Sequence, residues 1–141
     1  MMCELMLEQA YSAYGRGDLE AVAAHMADDI VYVQYIDREI APFGGVSIGK
    51  GVLLRRLEMI LELFHIEHYR LLQLQVDGLS GRSVIEYEYR HRPTGEVIAG
   101  HLRHELWIRD GQIARYREYL DRPRVEAFMR LVAIGLPSSP N

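Results

Sequence analysis

The chain has 141 residues and a formal charge of -4, from 16 Lys+Arg against 20 Asp+Glu, with 49% hydrophobic and 26% charged residues. That length suits one domain over residues 1–141, and that balance excludes both a disordered chain and a basic footprint for nucleic acid. The single cysteine, Cys3, excludes an internal disulfide and any multi-cysteine metal or iron–sulfur centre, which suits a reducing, cytoplasmic setting.

Glu4 and Glu8 stand where a secretory leader would carry basic residues and then an apolar run, so no export signal is expected. Every apolar stretch is interrupted by a charge or a histidine well short of the ~20 residues that span a bilayer, so no membrane partner is expected.

Met2, Leu5, Met6, Ala10 and Ala13 recur three and four apart, predicting a first amphipathic helix that Gly15 and Gly17 end. Asp18 then stands as an N-cap before Leu19, Val22, Ala23 and Met26, predicting a second short helix that reaches Asp28 and closes a helical hairpin. The run IVYVQYI at residues 30–36 predicts a strand. Residues 37–47, with Pro42, Gly44 and Gly45 and no period, predict a loop. From Lys50, the stripe of Val52, Leu53, Leu57, Ile60, Leu61 and Phe64 predicts a third helix, with Arg55 and Arg56 on its solvated face.

Segments 66–77, 82–92, 96–109 and 112–120 are divided by Asp77-Gly78, Pro93-Thr94-Gly95 and Asp110-Gly111, predicting a four-stranded antiparallel meander. Val125, Phe128, Met129 and Val132, after Asp121 and Pro123, predict a short C-terminal helix before a Pro/Ser tail. Helices first and hairpins afterwards predict an α+β fold with helices on one face of a curved antiparallel sheet.

Within the strands, alternation assigns faces. Ile85, Tyr87 and Tyr89 share one face and Glu86, Glu88 and Arg90 the other, while Leu102, His104, Leu106 and Ile108 oppose Arg103, Glu105, Trp107 and Arg109. In the last strand Ala114, Tyr116, Glu118 and Leu120 oppose Arg115, Arg117 and Tyr119, so Glu118 is a carboxylate among apolar neighbours. Whether it meets His104 depends on the Asp110-Gly111 turn. A three-residue loop with Gly111 in a G1 bulge puts both on one face, and a strict two-residue turn sets Glu118 against Arg103. The bulge is expected because it buries Tyr116 and Leu120. Desolvation is then expected to raise the Glu118 pKa and to favour the charged form of His104, giving a proton-transfer pair. Tyr14, Tyr32, Gln34, Tyr87, Tyr89 and Tyr116 supply polar contacts on an otherwise apolar wall, suiting a small oxygenated ligand.

The helical hairpin, GDLEAVAAHMADDIVY at residues 17–32, GKG at residues 49–51 and HELWIRDGQIARYREYLD at residues 104–121 resemble the SnoaL-like branch of the NTF2-like superfamily, over nearly the whole chain. The resemblance implies a cone in which three helices of the N-terminal half pack on a curved sheet around an apolar pocket, commonly in a homodimer. It also implies isomerase, polyketide cyclase or dehydratase chemistry, or non-catalytic binding, on one scaffold. Compared with the ketosteroid isomerases of the superfamily, the proton-shuttling aspartate falls on Gln34. Their oxyanion tyrosine falls on Ala10, one turn before Tyr14, and their oxyanion aspartate on or beside His104. The expected function is therefore binding of a small apolar or aromatic oxygenated ligand, with Glu118 and His104 as the acid–base pair of an isomerase or cyclase. The alternative is a non-catalytic ligand-binding or dimeric interaction module.

No cofactor and no metal are expected. GGVSIGK at residues 44–50 has phosphate-loop spacing, but Gly51 stands where the hydroxyl residue belongs. His101 and His104 lie three apart on a strand and face opposite ways, and HELW lacks the second histidine of a zincin helix. Asp28 and Asp29 are adjacent, so they face different ways and suit a turn better than a carboxylate dyad. Trp107, on the convex face among Arg103, Glu105 and Arg109, is the expected homodimer contact.

Overall fold

The computed structural model describes residues 2–135; the predicted Pro/Ser tail lies outside the described residues. Its elements are α1 (Met2–Gly15), α2 (Leu19–Ala23), β1 (Met26–Gln34), β2 (Gly45–Ile48), α3 (Lys50–Leu63), β3 (Phe64–Asp77), β4 (Ser80–His91), β5 (Val97–Arg109), β6 (Gln112–Tyr119) and α4 (Arg122–Gly135). The architecture is α+β: one open six-stranded sheet in the order β2-β1-β6-β5-β4-β3 with helices packed on it. No described helix is long and apolar enough to cross a membrane.

The meander β3 to β6 follows the predicted turns. The sheet differs from the predicted antiparallel one in a single pairing, because β1 runs parallel to β6. A hairpin forces an antiparallel pair; β1 and β6 are joined through most of the chain, and the long connection permits the parallel direction. Two boundaries also move. The second helix stops at Ala23 instead of reaching Asp28, because Met26 pairs with Ile113 as the first residue of β1. The predicted loop at 37–47 gives way at its end to β2, whose short Gly45–Ile48 run pairs with Val31 to Gln34. One glycine and only three other residues leave too little period to read before the partner strand is known.

The face of α1 is rotated from the predicted one. Leu7, Ala10, Tyr11 and Ala13 are buried, whereas Leu5 is 56% exposed. Residues 3, 7, 10, 11 and 14 share one helical stripe about one residue, or roughly 100°, away from the predicted stripe. Leu7 tips onto the sheet, so that a Cβ added at Gly81 of β4 would lie 3.5 Å from its methyl carbon. β3 carries two irregularities, between Ile66 and His68 and between Leu71 and Gln73. They restart the alternation and keep Phe64, Ile66, Tyr69, Leu71, Leu74 and Val76 as its more buried positions.

The β5–β6 hairpin resolves the register by a different device from the one expected. Asp110 and Gly111 have φ of 52° and 73°, as a tight two-residue type I′ turn requires, and Arg109 pairs directly with Gln112. The extra residue is Ala114. Ile108 pairs with Ile113 but Trp107 with Arg115, so a bulge inside β6 moves the register by one. His104 consequently stands opposite Glu118.

Candidate functional site

A single row of paired residues crosses the sheet: Gly45 of β2, Gln34 of β1, Glu118 of β6, His104 of β5, Ser83 of β4 and Leu74 of β3. Its four central members face the concave side, where Gln34, Ser83, His104 and Glu118 are all buried polar residues. Burying four polar side chains is costly unless their hydrogen bonds are made internally, and nearly all of them are.

Glu118 Oε1 lies 2.8 Å from His104 Nε2, and Oε2 accepts from the Tyr32 hydroxyl at 2.9 Å and from the Gln34 amide. Beyond the imidazole, His104 Nδ1 lies 2.7 Å from the Tyr11 hydroxyl, which is 2.5 Å from Ser83 Oγ. Donors and acceptors balance along this chain. Ser83 donates to Tyr11, Tyr11 to Nδ1, Nε2–H to the carboxylate, and Tyr32 and Gln34 to its other oxygen. The amide orientation of Gln34 follows, since its oxygen would repel the carboxylate. That oxygen, Oε1, is buried and has no hydrogen-bond partner among the described residues.

The expected pKa shift of Glu118 is reversed. Burial pushes the carboxyl up, but the hydrogen bonds it accepts from His104, Gln34 and Tyr32 outweigh it, holding Glu118 below the usual carboxylate range. Composition shows the apolar surroundings of a carboxylate; it does not show three donors aimed at it. Glu118 is thus an ionised anchor near neutral pH rather than a carboxylic acid.

Gln34, Glu118 and His104 of this row line a cavity of about 120 Å³. Each predicted site residue lines this cavity: Tyr14, Tyr32, Gln34, Tyr87, Tyr89, His104, Tyr116 and Glu118. Tyr32, Gln34, His104 and Glu118 are joined by hydrogen bonds. Tyr116 stands by with its ring 4.3 Å from that of Tyr32 and 5.4 Å from the imidazole, centroid to centroid. Tyr14, Tyr87 and Tyr89 contribute to the wall outside this network. Burial raises the phenol pKa of all four of these tyrosines, Tyr87 to about 12, so they are neutral hydroxyls at ordinary pH.

Tyr11, Ser83 and Tyr69 also belong to the cavity or its network and were not among the predicted residues. Ser83 was readable, since it continues the Ile85, Tyr87, Tyr89 alternation two residues upstream. Tyr11 was hidden by the rotated stripe of α1, and Tyr69 by the broken alternation of β3. On the outer face, Glu86 has His68 at 2.8 Å and His101 at 3.8 Å, so His101 does point away from His104. Trp107 is half-buried, and the guanidiniums of Arg115 and Arg117 lie 5.2 and 5.3 Å from its ring centroid. These neighbours in its own chain account for part of that burial.

Residues 7–116 match the SnoaL-like domain. The chain belongs to the SnoaL-like domain family. Solved structures share the fold. A provisionally named isomerase from Rhodopseudomonas palustris superposes with a TM-score of 0.78 at 19% identity, covering 94% of this chain and 97% of that one. An NTF2-like protein from Burkholderia xenovorans gives 0.77 at 20% identity, covering 89% and 94%. A provisionally named SnoaL-like polyketide cyclase from Mesorhizobium loti gives 0.69 at 19% identity, covering 84% and 96%. No curated protein matches the chain. At these identities the SnoaL-like relatives establish the fold, and the chemistry rests on the site.

Proposed function

We propose that this SnoaL-like protein binds a small, mainly apolar molecule in the cavity beneath the Gln34–Glu118–His104–Ser83 row. The observation that carries the reading is the cavity itself: about 120 Å³, walled mainly by aliphatic and aromatic side chains, with Gln34, Glu118 and His104 of one register row among its lining. An engineered apolar cavity of ~150 Å³ admits benzene, so the ligand is about one six-membered ring in size. A four-ring steroid would need the walls to part.

Binding to the folded state raises stability by mass action, so a ring-sized ligand such as toluene should raise the unfolding midpoint. The effect should vanish in Ala10→Leu, which fills part of the cavity from α1. No stabilisation by any single-ring compound at millimolar concentration, in a folded wild-type protein, overturns the reading.

The hydrogen-bonded chain favours a second, catalytic reading, proton transfer beside a carbonyl. A proton taken from the ligand would enter at the Tyr11 phenol while the phenol's own proton passes to His104 Nδ1, with the Glu118 carboxylate opposite the new imidazolium. No heavy atom has to move, and the existing contacts of 2.7 and 2.8 Å already define the path. Deuterium exchange at the carbons beside the carbonyl of cyclohexanone tests it. Exchange accelerated by the protein and lost in His104→Ala supports transfer, and the same rate in both leaves a binding protein.

A further inference from the structure

The three long helices α1, α3 and α4 all contribute to the cavity wall, and they are fastened in different ways. α1 is tied to the sheet through the Tyr11 hydroxyl, 2.7 Å from His104 Nδ1 and 2.5 Å from Ser83 Oγ. α3 is tied by Arg56, which donates to the Gly44 carbonyl at 2.7 Å, and by the carbonyls of Leu61 and Leu63, which accept from Arg92 at 3.0 and 2.8 Å. α4 has no such fastening. Among the described residues its polar contacts stay within its own segment: Arg122 with Glu126, and the backbone N–H groups of Arg124 and Val125 with Asp121.

A single apolar stripe docks α4: Val125, Phe128, Met129 and Val132, spaced as one face of a helix. The first three also line the cavity, whereas Val132 is fully buried outside the lining. Moving α4 aside therefore breaks no hydrogen bond to another element among the described residues. Moving α1 would strip His104 and Ser83 of Tyr11, and a buried polar group left alone carries its full desolvation penalty. Of the three helices, α4 is the one that opens at least cost. A molecule in the cavity touches three of the four side chains that dock it, so it adds contacts to the closed state alone. β6 ends at Tyr119 and α4 begins at Arg122, which leaves Leu120 and Asp121 as the joint.

Resting on the binding function proposed above, we propose that α4 is the gate of the cavity: it swings on Leu120-Asp121 to admit the ligand and is held shut by the ligand it covers.

Hydrogen exchange followed by mass spectrometry reads the opening, first in the free protein and then with toluene as the probe. Amides in the second half of α4 are expected to exchange at least about 10-fold faster than those in the middle of α1 and α3, through an opening short of global unfolding. Toluene at about ten times its Kd is expected to slow them about 10-fold, since the closed state alone binds. Val132→Ala loosens the stripe without touching the lining. Toluene is then expected to enter and leave about 3–10-fold faster at nearly the same Kd, as read by exchange spectroscopy of its methyl resonance. Leu131→Ala, at a position 50% exposed on the same helix, should leave both rates unchanged. Three results overturn the gate and leave the binding function standing: exchange in α4 as slow as in α1 and α3, fast exchange that bound toluene does not slow, or equal ligand rates in wild type and Val132→Ala. Toluene that raises no unfolding midpoint removes the binding function, and the gate with it.

Discussion

Glu118 is the position at which substitution should separate shape from charge. Its carboxylate receives three donors, from His104 Nε2, the Tyr32 hydroxyl and the Gln34 amide, in a buried site. Glu118→Ala strips all three at once. Each buried donor left alone costs ~1–3 kcal/mol, and partial relaxation brings the sum to about 3–5 kcal/mol, as for other broken buried pairs. Glu118→Gln should cost far less, about 1 kcal/mol. The new amide oxygen can accept from Tyr32 and Gln34, and its NH₂ can donate to Nε2 if the imidazole moves its proton to Nδ1 and donates to Tyr11.

Urea unfolding of the three proteins at neutral pH measures both values. The pH dependence follows from the same contacts. The folded-state pKa of Glu118 lies below its unfolded value, so its contribution is complete above about pH 4.5 and is lost as pH falls through the folded value. Wild type should therefore lose its advantage over Glu118→Gln below about pH 4.5. A Glu118→Ala cost under about 1 kcal/mol, or equal costs for the alanine and glutamine variants, would refute the three-donor account.

Tyr11→Phe should destabilise by about 1–3 kcal/mol, because it removes one hydroxyl shared by His104 and Ser83; thermal unfolding reads this, and a neutral result denies that the chain continues past the imidazole. The rotated face of α1 predicts that Leu7→Ala costs about 2–5 kcal/mol and Leu5→Ala under about 0.5, a contrast that denaturant titration of the two variants would reverse if the sequence stripe were the buried one. In the β5–β6 turn, Gly111→Ala should cost about 1–2 kcal/mol because φ is 73° there, while Asp110→Asn, which suits a type I′ turn, should change stability by less than about 0.5; equal effects would argue against that turn.

Local patterns in the chain carried the fold a long way. The helices, the four-stranded meander and its turns were legible because periods of 3.6 and 2 and turn residues such as Asp110-Gly111 report on neighbours a few positions apart. So were the inward faces bearing His104, Tyr87 and Glu118, since alternation survives wherever a strand is regular. Interruptions of the local rule were decided by distant contacts. The bulge at Ala114, which sets Glu118 against His104, sits inside a strand whose sequence shows nothing unusual, and the irregularities in β3 conceal Tyr69 in the same way. The parallel pairing of β1 with β6 and the existence of β2 likewise depend on partners far away in the chain. The clearest case is the charge of Glu118. Apolar neighbours in sequence predict a raised pKa, and only the folded sheet brings Gln34, Tyr32 and His104 from two other strands to hold the carboxylate ionised. Burial acts through composition, which a sequence displays, whereas hydrogen bonds act through direction and distance, which exist only once the strands are in register.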